Sequence, residues 1–402
     1  MSGTERTERS APAVRRAALV ASLLFLVACT CSYGGLVSDA YPGDTVTYSK
    51  YGRALVEDGR IPYRDFYDEY PPGSVPVFTL PAFVGEAHYT SVFKLLMAAC
   101  GVGLVVCTTW ILARLRLSYL RLAPLVLAGP LMGPVFLNRY DPLAALLCSL
   151  GLVAILRGRD AGIPLGVGTA VKLYPAVVVP IALRRLWPDL RRLRRSAITF
   201  LVAGAVLVLP FVALAPGGVG FSLWTQAKRT LQIESLGASL LLALDKLHVY
   251  DAHWIAGKPG SIDLGGRVAD LVGSLSSLVA VALALLVARA FWRGPDSDAR
   301  LVTAWAAAVT AFTVFAKVLS PQYLTWLVPL APLAAGRRGA AAAVTLLAAL
   351  ALTQPEYFLG DHGLRDENWT VWLLLVRNGL LVATFALLWA ALRQDRPEDV
   401  RL

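Results

Sequence analysis

Residues 38–76 hold the chain's densest run of acids, arginines and aromatic rings, with Asp39, Asp44, Glu57, Asp58, Asp65, Asp68 and Glu69 all inside it. Asp44 follows a Pro42 and Gly43 turn and opens a helical pattern in which Tyr48, Tyr51 and Leu55 recur at spacings of three and four. A carboxylate there can cap its own helix. It can also accept the proton of a sugar hydroxyl as that hydroxyl attacks an activated sugar, since an aspartate with an ordinary pKa of about 3.9 is ionised at any plausible outer pH. Further on, Tyr63, Phe66, Tyr67 and Tyr70 interleave with Arg64, Asp65, Asp68 and Glu69. Rings that stack on sugars beside groups that bind hydroxyls make a carbohydrate subsite, and the same composition makes an interfacial aromatic belt with snorkelling charges.

The elements that must position these residues are apolar. Of 402 residues, 56% are hydrophobic and 16% charged, and the mean hydropathy is +0.59. That balance excludes an ordinary soluble enzyme and long disordered regions. A net charge of +11 would point to nucleic acid in a soluble protein, but here most cations sit in short gaps between apolar runs, so no nucleic-acid partner is expected. Five scattered cysteines make no disulfide framework, and the four histidines have no metal-ligand spacing.

Apolar runs at 17–37, 90–113, 196–215, 267–292 and 369–392 are each near the roughly 20 residues a crossing needs. Shorter runs at 120–137, 141–157, 299–316, 321–335 and 338–354 are read as further crossings. Segment 161–183 is read as two short arms meeting near Lys172 and Pro175, which keeps the basic run Arg184 to Arg195 on the cytoplasmic side. That run is an orientation signal in contact with anionic headgroups. The expectation is an all-α, multi-pass protein of the cytoplasmic membrane, one integral domain over 1–402 with about twelve crossings and both termini inside. Residues 1–16 form a cytoplasmic tail, and 38–89 and 216–266 are two long outer loops. Arg15 and Arg16 precede an apolar run ending Leu26, Val27, Ala28, Cys29, which looks like a lipoprotein cleavage box; an uncleaved first span is expected instead.

The run from Asp44 through Tyr48, Gly59, Pro62, Tyr63 and Asp65 to Glu69, Tyr70, Pro71 and Pro72 resembles the first outer loop of the actinobacterial polyprenyl-phosphate-sugar-dependent glycosyltransferases of family 87. Further patches look like the same family in the same order. They are Arg139, Tyr140, Asp141, Pro142; Lys172, Leu173, Tyr174, Pro175; Arg229, Gln232, Glu234, Ser235; Ser320, Pro321, Gln322, Tyr323, Trp326, Pro329; and Arg377, Asn378. The resemblance implies a GT-C fold, inverting transfer outside the cytoplasmic membrane, and a lipid-phosphate sugar donor. It gives Asp44 the role of general base, with Asp39 as the alternative acid.

Such a donor leaves as a phosphate, so fixed cations are needed near the outer headgroup level. Arg139, Lys172, Arg229 and Lys317 fit, with Arg139, Lys172 and Lys317 expected to hold the phosphate. A lysine flanked by Ala170, Val171 and Leu173 costs about 2.5–3.5 kcal/mol near a helix centre unless paired or hydrated. Structural readings stand beside these: Lys172 or Arg139 paired with Asp141, Lys317 snorkelling, Arg229 bridged to Glu234, Arg377 as interior glue. Tyr48, Tyr63, Arg64, Asp65, Glu69, Tyr70, Asp141, Tyr174, Glu234, Gln322 and Tyr323 complete the expected substrate-binding set.

The expected function is transfer of a sugar, mannose first, from a polyprenyl-phosphate donor to a glycolipid or glycan acceptor, with no cofactor and no metal. A transporter or flippase of lipid-linked sugars is the rival. Many transporters are built from repeated halves, which this sequence lacks.

Overall fold

Among the described residues, five helices are long and apolar enough to cross a membrane: Ala11–Cys31, Glu86–Arg114, Leu190–Leu214, Arg267–Arg293 and Asn368–Arg393. They coincide with the five longest apolar runs. The architecture is that of a computed structural model describing residues 10–38, 43–257, 261–366 and 368–394. Leu190–Leu214 buries only Ser196 and exposes Ile198, Leu201, Val202, Val206 and Leu209. An apolar face of that extent is stable against lipid and not against water.

The shorter runs divide into two kinds. Asp141–Leu156 and Asp298–Val314 are continuous helices, and Gly336–Asp366 outlasts its expected span and packs along Asn368–Arg393. Segments 120–137 and 321–335, read as shorter crossings, are instead each a chain of short helical pieces. Pro124, Pro134, Pro329 and Pro332 each lack the N–H that a continuing helix requires. The expected break in 161–183 is present: Gly162–Val171 ends, Lys172 is extended, and a 3₁₀ turn over Tyr174–Val178 leads into Val179–Leu186.

The fold is mostly helical but not all-α. In the second long loop, Leu231–Gln232 (β1), His253–Ala256 (β2) and Ile262–Gly265 (β3) form an antiparallel sheet in the order β1-β3-β2. Leu231 and Leu264, paired in register, are both fully buried there. The central core lies between Glu86–Arg114, Asp141–Leu156 and Asp298–Val314, the last buried along nearly its whole length.

Two glycines set the approach of the site-bearing elements. Thr45–Val56 crosses Val75–Ala82 so closely that a Cβ on Gly52 would lie 2.1 Å from the Phe78 carbonyl oxygen. A Cβ on Gly73 would lie 2.4 Å from the Ala170 carbonyl carbon, which seats the first loop on the helix end that presents Lys172.

Candidate active site

Asp44 occupies the N-cap position of Thr45–Val56, yet its carboxylate makes no cap hydrogen bond. Its backbone carbonyl accepts from Tyr48 N at 2.9 Å and starts the helix. Its side chain instead forms an ion pair with Arg139, which rises from the turn just before Asp141–Leu156. Tyr48 and Tyr70 hydroxyls point at the same oxygen, Oδ2, from 3.4 and 3.5 Å, long for such bonds. These three contacts gather on Oδ2. Asp39 lies outside the described residues.

Behind Asp44 stands a wall of rings. Tyr48 stacks on Phe78 at 4.4 Å and 7° and meets Tyr70 and Tyr140 edge to face. Tyr48 and Tyr140 are each 1% exposed, so the wall is built by core packing and holds the Asp44 environment in one geometry.

Lys172 Nζ lies 2.7 Å from Asp141 Oδ1, and Trp326 Nε1 donates to the same oxygen at 2.7 Å. The ammonium also sits 4.5 Å from the Tyr140 ring centre and 5.0 Å from that of Tyr323. Trp326 is sandwiched, stacked on Tyr174 at 4.0 Å and on Tyr323 at 4.3 Å. The broken helix is what allows this. Extended at Lys172, the chain delivers Lys172 and Tyr174 to the end of Asp141–Leu156, where Asp141 also complements that helix's N-terminal dipole.

Arg229 and Lys317 approach from the second loop and the end of Asp298–Val314. Arg229 donates to Ser261 Oγ at 3.0 Å, and Lys317 to the Ala227 carbonyl at 2.7 Å. Burial, and then the charge of Arg229, hold Lys317 below the ordinary lysine range. Ser261 in turn donates to Asp263 Oδ1 at 2.6 Å.

These groups line one cavity of about 460 Å³. Asp44, Tyr48, Glu69, Tyr70, Arg139, Asp141, Lys172, Tyr174, Arg229, Lys317, Gln322 and Tyr323 are all on its surface. Four expected substrate residues are not. Tyr63 is buried against Val75, Ala215 and Val219 with its hydroxyl on the Tyr70 carbonyl at 2.6 Å. Arg64 and Asp65 pair with each other at the surface, and Asp65 also accepts from Ile61 N at 2.8 Å, which together hold its carboxyl down to about 2. They close a turn. Glu234 lies off the cavity surface, its carboxylate taking Gln232 Nε2 and its carbonyl taking Arg377; of the two readings of Arg229, the bridge to Glu234 gives way to a bond to Ser261.

Sequence reasoning missed Gln226, Ser261 and Thr47 on the cavity surface. Gln226 Nε2 donates to the Glu69 carbonyl at 2.9 Å, tying the two loops together at a residue that lines the cavity. Gln226 lies on the helix Pro216–Ala227, whose residue Gly218 approaches the Tyr63 carbonyl. The only local signal for it was its place three residues before Arg229.

A family model for glycosyltransferase family 87 matches residues 69–321. The alpha-(1->6)-mannopyranosyltransferase A of Mycobacterium tuberculosis (strain ATCC 25618 / H37Rv) is 29% identical over 287 residues, 64% of this chain and 51% of that protein. The chain therefore spans about half the length of the curated relative it matches. Among solved structures, ArnT from Cupriavidus metallidurans bound to undecaprenyl phosphate aligns at 16% identity with a TM-score of 0.49, over 96% of this chain and 78% of that one. The family match takes in Arg139, Asp141, Lys172, Arg229 and Lys317 and begins after Asp44 and Tyr48; it spans more than half of the sequence, and the chain belongs to glycosyltransferase family 87.

Proposed function

We propose that this protein is a membrane glycosyltransferase of GT-C architecture that moves a sugar from a polyprenyl monophosphate donor to a glycolipid or glycan acceptor at the outer face of the cytoplasmic membrane. Mannose is the preferred sugar, a choice supported by the relative's mannopyranosyl activity. The observation that carries the reading is a single cavity in which the Asp44 carboxylate shares walls with the cations Arg229 and Lys317.

In this reading Asp44 is the general base. Its Oδ1 takes the proton of an acceptor hydroxyl as that oxygen attacks the anomeric carbon, and the bond to the donor phosphate breaks with its electron pair on phosphate. Arg139 keeps Asp44 ionised through Oδ2. One base and one leaving group on opposite sides of the sugar give inversion. No divalent cation is assigned, and EDTA is expected to leave transfer unchanged.

The phosphate is placed against Arg229 and Lys317. Arg139 and Lys172, the cations preferred from sequence, already hold Asp44 and Asp141, whereas Arg229 and Lys317 rest on a hydroxyl and a carbonyl. An incoming dianion gains most where cations are not already neutralised. Ala280, Val281, Phe312 and Ala316 line the same end of the cavity and suit a prenyl tail. Glu69, Tyr51, Tyr67 and Gln226 line the other side and suit the hydroxyls of an acceptor sugar.

The test is transfer of labelled sugar from polyprenyl-phosphate-mannose to a membrane lipid extract, comparing wild type with Asp44→Asn at matched folded amounts. Transfer by wild type alone supports both the activity and the base. Transfer by Asp44→Asn at the wild-type rate removes Asp44 from the mechanism. If wild type is silent with mannose but active with the arabinose donor, the sugar changes and the rest of the reading stands.

A further inference from the structure

Arg377 lies inside the membrane-crossing helix Asn368–Arg393 and is 0% exposed. A guanidinium at that depth is expensive unless it is engaged, and such residues mark functional positions more often than chance. Its NH2 donates to the Glu234 carbonyl at 2.8 Å, and its Nε and NH2 donate to Asn378 Oδ1 at 3.2 and 2.9 Å. With its oxygen fixed in this way, Asn378 presents Nδ2 to the same Glu234 carbonyl at 3.2 Å and to Ser239 Oγ at 3.0 Å. The last span therefore grips the Glu234 carbonyl and the Ser239 hydroxyl of the second outer loop.

Two residues before Glu234, Gln232 reaches the cavity. Its backbone N–H donates to the Lys317 carbonyl at 3.0 Å, and its side-chain Oε1 accepts from Leu319 N at 2.9 Å. Its Nε2 is turned back to the Glu234 carboxylate. Gln232 is 5% exposed, so the bonds that fix Lys317 and Leu319 are shielded from water. Arg229 and Lys317 line one cavity and repel each other, and two long cationic side chains in that situation turn apart toward solvent unless the backbone beneath them is held.

We propose that Arg377 and Asn378 are positioning residues for polyprenyl monophosphate binding: by fixing Glu234 they hold Gln232, and through Gln232 the irregular segment Lys317–Leu319, so that Lys317 faces Arg229 across the phosphate end of the cavity. The brace meets Lys317 and Leu319 through their backbone groups, so it orients the cations without neutralising them. This inference rests on the assignment of the Arg229 and Lys317 end to the donor phosphate.

The experiment measures binding of decaprenyl monophosphate, with no sugar attached, to the detergent-solubilised full chain, alongside donor and acceptor KM and kcat in transfer. Wild type is compared with Arg377→Gln, Asn378→Leu and Gln232→Leu at matched folded amounts. The proposal expects each variant to raise the Kd and the donor KM about tenfold, with the acceptor KM unchanged and kcat at saturating donor within about threefold. Residues that merely glue a helix would change the folded yield and leave the Kd of the folded fraction alone. Folded Arg377→Gln with wild-type Kd and donor KM overturns the proposal. Should Arg377→Gln fail to fold, Gln232→Leu, at the cavity end of the brace, decides in the same way. If wild type itself does not bind decaprenyl monophosphate, the phosphate assignment falls and the brace with it; if wild type binds and the variants bind equally, only the brace falls.

Discussion

Arg139 and Asp44 are ion-paired, although 95 positions separate them in sequence and they belong to different elements of the fold. The pair joins the start of Thr45–Val56 to the turn before Asp141–Leu156, and Tyr48 and Tyr140 pack edge to face beside it. It turns an N-cap position into a cavity-facing carboxylate. The helix loses a cap bond worth about 1 kcal/mol, and the site gains an anion held by charge instead of by its own backbone.

Asp44→Asn keeps the shape and the backbone carbonyl that starts the helix, so it is expected to fold. It removes the proton acceptor, and kcat should fall by about 10²- to 10⁴-fold, the usual worth of a general base. Arg139→Met should fold as well but lower kcat less, because Asp44 remains in place. Single-turnover transfer with both variants checks the order. A fall in the Arg139 variant greater than that in the Asp44 variant would move the chemistry away from Asp44.

Lys172 and Asp141 form a second pair of a different kind. Asp141 is 1% exposed at its side chain and Lys172 14%, so removing one partner strands a buried charge. Lys172→Met is expected to lower stability by about 3–5 kcal/mol, and Asp141→Asn in the Lys172→Met background should recover much of that loss. The measurement is thermal unfolding in detergent over the double-mutant cycle. Additive losses would mean the two side chains are not coupled.

Asp68 supplies a pH signature. Its carboxyl is fully buried in the first long loop, Oδ1 accepts from Tyr70 N at 2.9 Å, and Oδ2 is buried without a partner among the described residues. Burial raises its pKa to about 7. Because the folded value lies above the unfolded one near 3.9, the folded state holds the extra proton between about pH 4 and 7. Stability from this group is therefore greatest at low pH, falls as pH rises through that window, and is flat above it. Asp68→Asn keeps the bond to Tyr70 and removes the titration. It should raise stability by a few kcal/mol at pH 8 and change little at pH 4. Unfolding midpoints at the two pH values decide; an equal effect at both would show that Asp68 stays ionised in the fold.

Much of this arrangement was legible in the chain because it follows from local constraints. The five long apolar runs became helices by length and composition alone, and Pro175 together with the basic run after it forced the break that presents Lys172. What local patterns did not contain was pairing. Arg139, Lys172 and Arg229 were all recognisable as cations the membrane would not tolerate idle, but whether each meets a carboxylate or a hydroxyl depends on contacts 31 to 95 residues away in sequence. The small sheet was illegible for a similar reason. Its strands are two to four residues long, too short for an alternating pattern, and they are held by register with one another. Tyr63, Arg64 and Asp65 misled because a turn closed by an ion pair has the same composition as a sugar site.

That last distinction gives a test within a single loop. Arg64 and Asp65 satisfy each other at the surface, whereas four residues on Glu69 faces the cavity with its backbone tied to Gln226. If the cavity side holds the acceptor, a carboxylate there accepts hydrogen bonds from sugar hydroxyls and its loss is felt in acceptor binding. Glu69→Gln keeps the size and the backbone bond but exchanges a charged acceptor for a neutral one. A hydrogen bond to a charged group contributes about 1.5–3 kcal/mol, so the acceptor KM should rise about 10- to 100-fold while the donor KM stays near wild type. Arg64→Ala loses only an exposed pair that solvent screens and should leave both constants within about twofold. Steady-state kinetics with each substrate varied in turn separates the outcomes: a Glu69→Gln effect on the donor KM alone would reverse the two ends of the cavity, and an Arg64→Ala effect as large as that of Glu69→Gln would return the turn to the substrate site.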